Sequence, residues 1–205
     1  MFLSISTKFA LAAAAFLCLA APVRSSASTS ALPGVASMGT NASLHLTGQR
    51  YELKLHHLHT GENLDVVYRV GNTYIPAALE KLNHFLRDHR TQDVSHYDPR
   101  EFDLLHTLMA KLGKAKGEID VVCGYRTPWS NEYLRTRSEN TGVAKNSEHT
   151  QAKAIDIRVP GVTTRKLRLM ALSLHGGGVG YYPVSKFVHV DVGPVRQWTF
   201  SGRDE

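Results

Sequence analysis

The stretch Lys186-Phe187-Val188-His189-Val190-Asp191-Val192 constrains this chain more than any other. Successive side chains of a β-strand point to opposite faces. Val188, Val190 and Val192 therefore share one face, and Phe187, His189 and Asp191 share the other. The valines need a core to cover them; the imidazole and the carboxylate need polar partners. A second stretch, Ala154 to Val159, alternates in the same way, with Ala154, Asp156 and Arg158 on one face and Ile155, Ile157 and Val159 on the other. If the two strands pair with Asp156 opposite His189, the facing Cβ atoms stand about 4.5–5.5 Å apart, close enough for both side chains to reach one ion.

His149 precedes Asp156 by seven residues and joins them if Thr150 to Lys153 folds back. His149, Asp156 and His189 then offer N, O and N donors and leave a fourth position open, which is the arrangement of a catalytic zinc site. The chain holds 11 histidines, so a histidine alone carries little information. The other nine, His59 and His89 among them, read as surface or core residues.

The rest of the sequence supplies a scaffold. Phe9 to Ala21 is an apolar run behind Lys8, followed by Pro22 and the small residues Ser25-Ser26-Ala27. Residues 1–27 read as a secretory signal peptide. Left uncleaved, it would tie the chain transiently to a membrane. Residues 28–43, rich in Ser, Ala, Gly and Thr, read as a flexible tether. Residues 44–205 form the folded domain. Removal of the signal takes Lys8 and Arg24 and lowers the net charge from +6 to +4. It also takes Cys18, so Cys123 has no disulfide partner and reads as a small buried strand residue. The modest positive charge favours anionic envelope polymers. No Lys/Arg cluster interleaved with aromatics points to nucleic acid.

Alternation over Leu44–Arg69 predicts a hairpin turning at Thr60-Gly61-Glu62-Asn63. Helical spacing follows over Ile75–Arg90, with Leu79, Leu82, Phe85 and Leu86 inward and Glu80, Lys81, Arg87 and Asp88 outward. Asp98-Pro99 starts a second helix with Leu105, Leu108, Met109 and Leu112 as its stripe. Glu118–Cys123 is a short strand ended by Gly124, and Thr127–Arg137 a short helix. Thr163 caps a last helix that runs to about Leu174, and Gly176-Gly177-Gly178 reads as its stop, or as a place of close substrate approach. Val179–Tyr182 and Val195–Phe200 are further strands. Helices before strands predict a small single α+β domain on an antiparallel sheet, expected to act as a monomer.

Several motifs together resemble the M15 zinc peptidases, in particular the murein endopeptidase K-like branch. They are Ser147-x-His149, Ala154-x-Asp156, Gly178-Val179-Gly180-Tyr181-Tyr182 and the run from Phe187 through Gly193-Pro194-Val195-Arg196 to Trp198. His59-Thr60-Gly61-Glu62, Leu82 to Arg90 and Gly124-Tyr125-Arg126-Thr127-Pro128 extend the likeness over roughly residues 50–200. One departure is Ala152, where members usually carry glycine. The resemblance implies an α+β domain that holds one Zn²⁺ on His149, Asp156 and His189. It implies an exported, periplasmic metallopeptidase that hydrolyses peptide bonds of peptidoglycan, as an endopeptidase on cross-links. A carboxypeptidase that trims stems and a non-catalytic peptidoglycan-binding domain are the alternatives.

The remaining site residues carry paired expectations. Asp191, on the face of His189, is a general base or an orienter of that histidine, against a structural carboxylate. Arg126, in a loop after a strand and a glycine, suits a substrate carboxylate or the transition state, against a surface ion pair. Ser147 accepts a hydrogen bond near the metal or caps the local turn. Tyr182 lines the cleft or packs under the sheet.

Overall fold

The computed structural model describes residues 47–137 and 141–202. The expected signal peptide (1–27) and tether (28–43) lie outside the described residues. Strands β1 (Arg50–His57) and β2 (Asn63–Val70) form the expected hairpin, and a two-residue β3 (Thr73–Tyr74) adds to its edge. Helix α1 (Pro76–Phe85) follows, then α2 (Pro99–Lys111), whose Asp98 cap accepts a hydrogen bond from the Arg100 N–H. Strand β4 (Glu118–Cys123) leads into α3 (Pro128–Thr136), capped by Thr127. A 3₁₀ turn (Glu148–Gln151), strand β5 (Ala154–Arg158), helix α4 (Thr164–Leu172) and strands β6 (Gly178–Tyr182), β7 (Phe187–Asp191) and β8 (Arg196–Thr199) complete the chain. Among the described residues, no helix is long and apolar enough to cross a membrane.

One eight-stranded sheet runs in the order β3-β2-β1-β4-β5-β7-β6-β8. The fold is α+β as expected, but the sheet is mixed, not wholly antiparallel. β1 pairs with β4 in parallel, and β6 pairs with β8 in parallel. The first parallel pair arises because α1 and α2 intervene between them and provide the long crossover that parallel neighbours need. The second arises from Gly176-Gly177-Gly178. The connection from β7 to β8 passes over the start of β6, and a Cβ on Gly177 would collide with the Asp191 carbonyl and the Val192 backbone. The glycine run is therefore a crossing point and not the stop of α4, which ends at a Ser173 cap two residues short of the expected Leu174.

Helices α1, α2 and α4 cover one face of the sheet, while Leu134 of α3 lines the cleft. Leu82, Phe85 and Leu86 from the α1 region and Phe102, Leu105, Leu108, Met109 and Leu112 from the α2 region join Leu167 and Ala171 of α4 in one core. Leu53, Leu55, Ile119, Val121, Ile155, Ile157, Val188 and Val190 meet them from the sheet. Each fully buried side chain of this size contributes on the order of 1.5–3 kcal/mol. The alternation of β5 and β7 thus fixes which face carries Asp156, His189 and Asp191.

Asp88 departs from the expected pattern. It lies beyond the end of α1 and is fully buried, not on a solvated helix face. One of its oxygens accepts from the Thr127 N–H (2.8 Å) and hydroxyl (3.0 Å), the other from the Arg90 N–H (2.9 Å). Burial raises its pKa, and these bonds together with one from Ser130 outweigh that and lower it. Asp88 so pins two loops, one beside Arg126 and one at Arg90. Gly124 serves the same junction, since a Cβ there would press on the Leu86 carbonyl, which accepts from Tyr125 N–H at 2.8 Å.

Ala152 ends the 3₁₀ turn at φ 52°, ψ 46°, and is fully buried. The left-handed conformation costs an L-residue roughly 1–2 kcal/mol, while the buried methyl returns about 0.8 kcal/mol. The two nearly balance, which accounts for alanine standing where glycine is usual. Ala152→Gly should therefore change thermal unfolding stability by less than about 1 kcal/mol. Ala152→Val should lose more than about 2 kcal/mol, because branching adds strain and overpacks a full site. A Val variant as stable as wild type would refute this account.

Candidate metal centre

β5 and β7 pair antiparallel with Asp156 directly opposite His189. The 3₁₀ turn folds Thr150–Lys153 back, with Lys153 N–H donating to the Glu148 carbonyl, and this carries His149 to the same point. His149 Nε2, Asp156 Oδ1 and His189 Nδ1 form a triangle with edges of 3.1, 2.9 and 3.0 Å. Zinc bonds of ~2.0–2.2 Å put neighbouring ligands of a tetrahedron roughly 3.3–3.6 Å apart. The triangle is a slightly contracted face of such a site.

The outer nitrogens decide what the inner ones are. His149 Nδ1 lies 2.7 Å from the Gly124 carbonyl, which only accepts, so Nδ1 carries the proton. His189 Nε2 lies 2.9 Å from Asp191 Oδ2, again an acceptor. With neutral rings, both inner nitrogens present lone pairs to each other and to a carboxylate. Three acceptors facing one another call for a cation at their centre.

Burial and the neighbouring charges pull these groups in different directions. Burial, then Arg126, pushes His149 down to about 4. Burial raises Asp156, but His149 and His189 outweigh it and hold that carboxyl well below the usual range. Burial lowers His189, and its hydrogen bonds to Asp156 and Asp191 outweigh that and raise it. Burial likewise raises Asp191, and His189, the Gly178 N–H and Arg196 reverse it.

Asp191 is completely enclosed. Its Oδ1 accepts from Gly178 N–H (3.0 Å), Gly193 N–H (2.8 Å) and Arg196 Nη1 (3.1 Å); Oδ2 takes His189 and Arg196 Nη2 (2.9 Å). A Cβ on Gly178 would meet both Asp191 Oδ2 and Arg196, so only glycine leaves room for this cluster. Arg196 stands in the sequence motifs without an assigned task, and Gly178 reads there as part of a helix stop or a place of close substrate approach; the geometry gives both to Asp191.

His149, Asp156 and His189 floor a cleft of about 320 Å³. Arg126 lines it, mostly buried, with Nη2 3.2 Å from Ser147 Oγ and Nε without a partner. Ser147 also caps the 3₁₀ turn through His149 N–H (3.4 Å), so both expected tasks fall to one hydroxyl. Tyr182 forms a wall, stacked on Phe187 at 4.3 Å, and its hydroxyl accepts from Trp198 Nε1 at 3.1 Å. Glu148 and Cys123 reach the cleft as well. Cys123 is half-buried, not a core residue, because its Cα pairs with Asp156 across a bulge. Its Sγ lies within 4.8 Å of the His149 and Asp156 donor atoms. Burial pushes that thiol up to about 12, however, and it donates to the Gly124 carbonyl at 3.6 Å. The triangle with His189 is the tighter of the two candidate sets. His59 and His89, expected on the surface or in the core, also line the cleft.

A family model matches the chain over residues 24–198, and the chain belongs to that M15 peptidase family, described as peptidoglycan L,D-endopeptidase MepK. Among individual relatives, the peptidoglycan L,D-endopeptidase MepK of Escherichia coli strain K12 is 45% identical over 146 residues, 71% of this chain and 79% of that protein. The Haemophilus influenzae protein named "probable peptidoglycan L,D-endopeptidase MepK" is 44% identical over 146 residues, 71% of this chain and 77% of its own length. No solved structure gives a significant match.

Zinc titrated into the purified protein should bind one ion per chain by calorimetry. His149→Ala, Asp156→Ala and His189→Ala should each abolish that heat. Cys123→Ala should hold zinc within about threefold of wild type, under 1 kcal/mol. Zinc lost on removing the thiol would put Cys123 in the ligand set.

Proposed function

We propose that this chain is an exported zinc metallopeptidase that cuts an internal L,D peptide bond of peptidoglycan, with one Zn²⁺ held by His149, Asp156 and His189. The observation that carries the reading is the convergence of three inward acceptor atoms on the floor of an arginine-lined cleft. The relatives' shared name favours an endopeptidase over a carboxypeptidase and over a non-catalytic binding domain.

Zinc bound there supplies a Lewis acid and lowers the pKa of its water to about 7. The chain's own groups do the rest. Asp191 keeps the His189 proton on Nε2 and so turns Nδ1 inward as a lone pair. Of the two tasks open to it, orienting suits a carboxylate with no exposure and both oxygens engaged. The Gly124 carbonyl does the same for His149. Arg126, fixed through Ser147, places a guanidinium where charge builds on the attacked carbonyl oxygen, or where a substrate carboxylate sits.

Mass spectrometry of muropeptides after incubation with the zinc-loaded protein tests the reading. New cleaved peptides are expected, absent with a chelator and absent in His189→Ala. Asp191→Asn should weaken zinc or slow turnover by about 10- to 100-fold, as loss of an orienting partner does. Arg126→Gln should keep zinc and lower kcat/KM at least about tenfold. Bound zinc with unchanged muropeptides would favour a binding domain instead.

A further inference from the structure

The cleft has a second basic wall that the metal site does not use. His59 and His89 lie there face to face, ring centroids 4.2 Å apart and planes 9° from parallel. Arg90 and Arg158 line the same cleft. Both guanidiniums act on His59, which burial, then Arg90, push down, while its ring donates to the Val122 carbonyl. His89 is pushed down to about 4, by burial and then Arg90. The imidazoles are therefore neutral at neutral pH, and the positive charge of this wall resides on the two arginines.

Neither arginine has an ion-pair partner among the described residues. Among the described residues, the arginine ion pairs involve Arg69, Arg87, Arg100, Arg135 and Arg196. Arg158 spends one N–H on the Ser185 carbonyl at 2.9 Å. Arg90 has a buried Nη1 with no partner at all. An unbonded buried N–H on a charged group is costly, so the Arg90 guanidinium gains from an anionic partner in the cleft that it lines. The carboxylates that line the cleft, Asp156 and Glu148, do not pair with either arginine, and Asp156 is engaged by the two site histidines. Two guanidiniums beside a flat, uncharged surface suit a carboxylate attached to an aliphatic or peptide stem.

We propose that Arg90 and Arg158, lining the cleft together with the stacked His59 and His89, form a carboxylate subsite separate from Arg126, so that the preferred substrate carries a free carboxylate away from the scissile bond. This rests on the peptidase reading for the identity of the substrate, though not for the binding it predicts. A cross-linked stem peptide supplies such a group on the residue beyond the cut.

The test compares a synthetic cross-linked peptide bearing that distal carboxylate with the same peptide amidated there. Binding is measured by calorimetry on the full zinc-loaded chain, and cleavage by mass spectrometry. Wild type should bind the free acid at least about tenfold more tightly, the yield of one good charge-assisted contact. Arg90→Gln/Arg158→Gln should bind both forms within about twofold of each other. Arg126→Gln should keep the tenfold preference. Arg90→Lys/Arg158→Lys should restore part of it, and thermal melts check that each variant is folded. Equal binding of both peptides by wild type overturns the subsite, as does a preference that survives in the Arg90/Arg158 variant or vanishes in Arg126→Gln. A preserved preference with no cleavage of either peptide would refute the peptidase reading and leave the subsite standing.

Discussion

Three acceptor atoms held within 3.1 Å of one another repel unless something positive lies among them. Everything near the cleft floor of this protein serves to keep those atoms from turning away. The antiparallel register sets Asp156 against His189, and a slip of one residue would send both to the opposite face. Such a slip would bury the imidazole among aliphatic side chains and expose Val188 and Val190 in the cleft. The hydrophobic pattern of β5 and β7 therefore protects the polar site, because register and burial are the same choice.

The next layer outward fixes the rings. His149 is turned by a backbone carbonyl and His189 by a carboxylate that itself takes four further hydrogen bonds. A buried carboxylate is tolerable only when its lone pairs are satisfied. That requirement reaches Gly178 and Gly193, whose N–H groups approach closely, and Arg196, which grips both oxygens. It also explains why the β7–β8 connection crosses where the chain has no side chains. One orienting hydrogen bond thus dictates the topology of the sheet edge and the glycine run with it.

How much of this the sequence reveals depends on the range of each interaction. Strand alternation at Phe187–Asp191 and Ala154–Arg158 is local, and it identified the site face and the facing pair. Helix caps at Asp98 and Thr163 are local too, and both stand as read. Asp88 was misread because its partners, Thr127 and the loop at Arg90, come together only in the fold. His59 and His89 carry no periodic signal that separates a cleft wall from a surface. Gly177 looks like a helix stop because glycine signals permissiveness without saying what comes near. The parallel pairings depend on how long connections route, and helical spacing does not record that route. Ala152 is the reverse case, where a likeness to relatives flagged a backbone conformation that alternation could not.

The cleft arginines pose an energetic question that the same principles answer. Like charges gathered around a pocket destabilise the folded state. The chain contains this repulsion by anchoring the basic loops through neutral or buried groups: Arg126 to Ser147, Arg158 to a carbonyl, and the Arg90 loop to Asp88 through backbone N–H bonds. None of these anchors neutralises a guanidinium. Had stability alone shaped the wall, a carboxylate paired with the Arg90 guanidinium would lower the energy, as Glu62 does for Arg87 three residues away, whereas Asp88 is spent on backbone N–H groups and the Thr127 hydroxyl. Positive charge is left facing the cleft at Arg90 and Arg158 while Arg87 close by is paired with Glu62, which is the distribution expected where an anionic ligand supplies the missing partner.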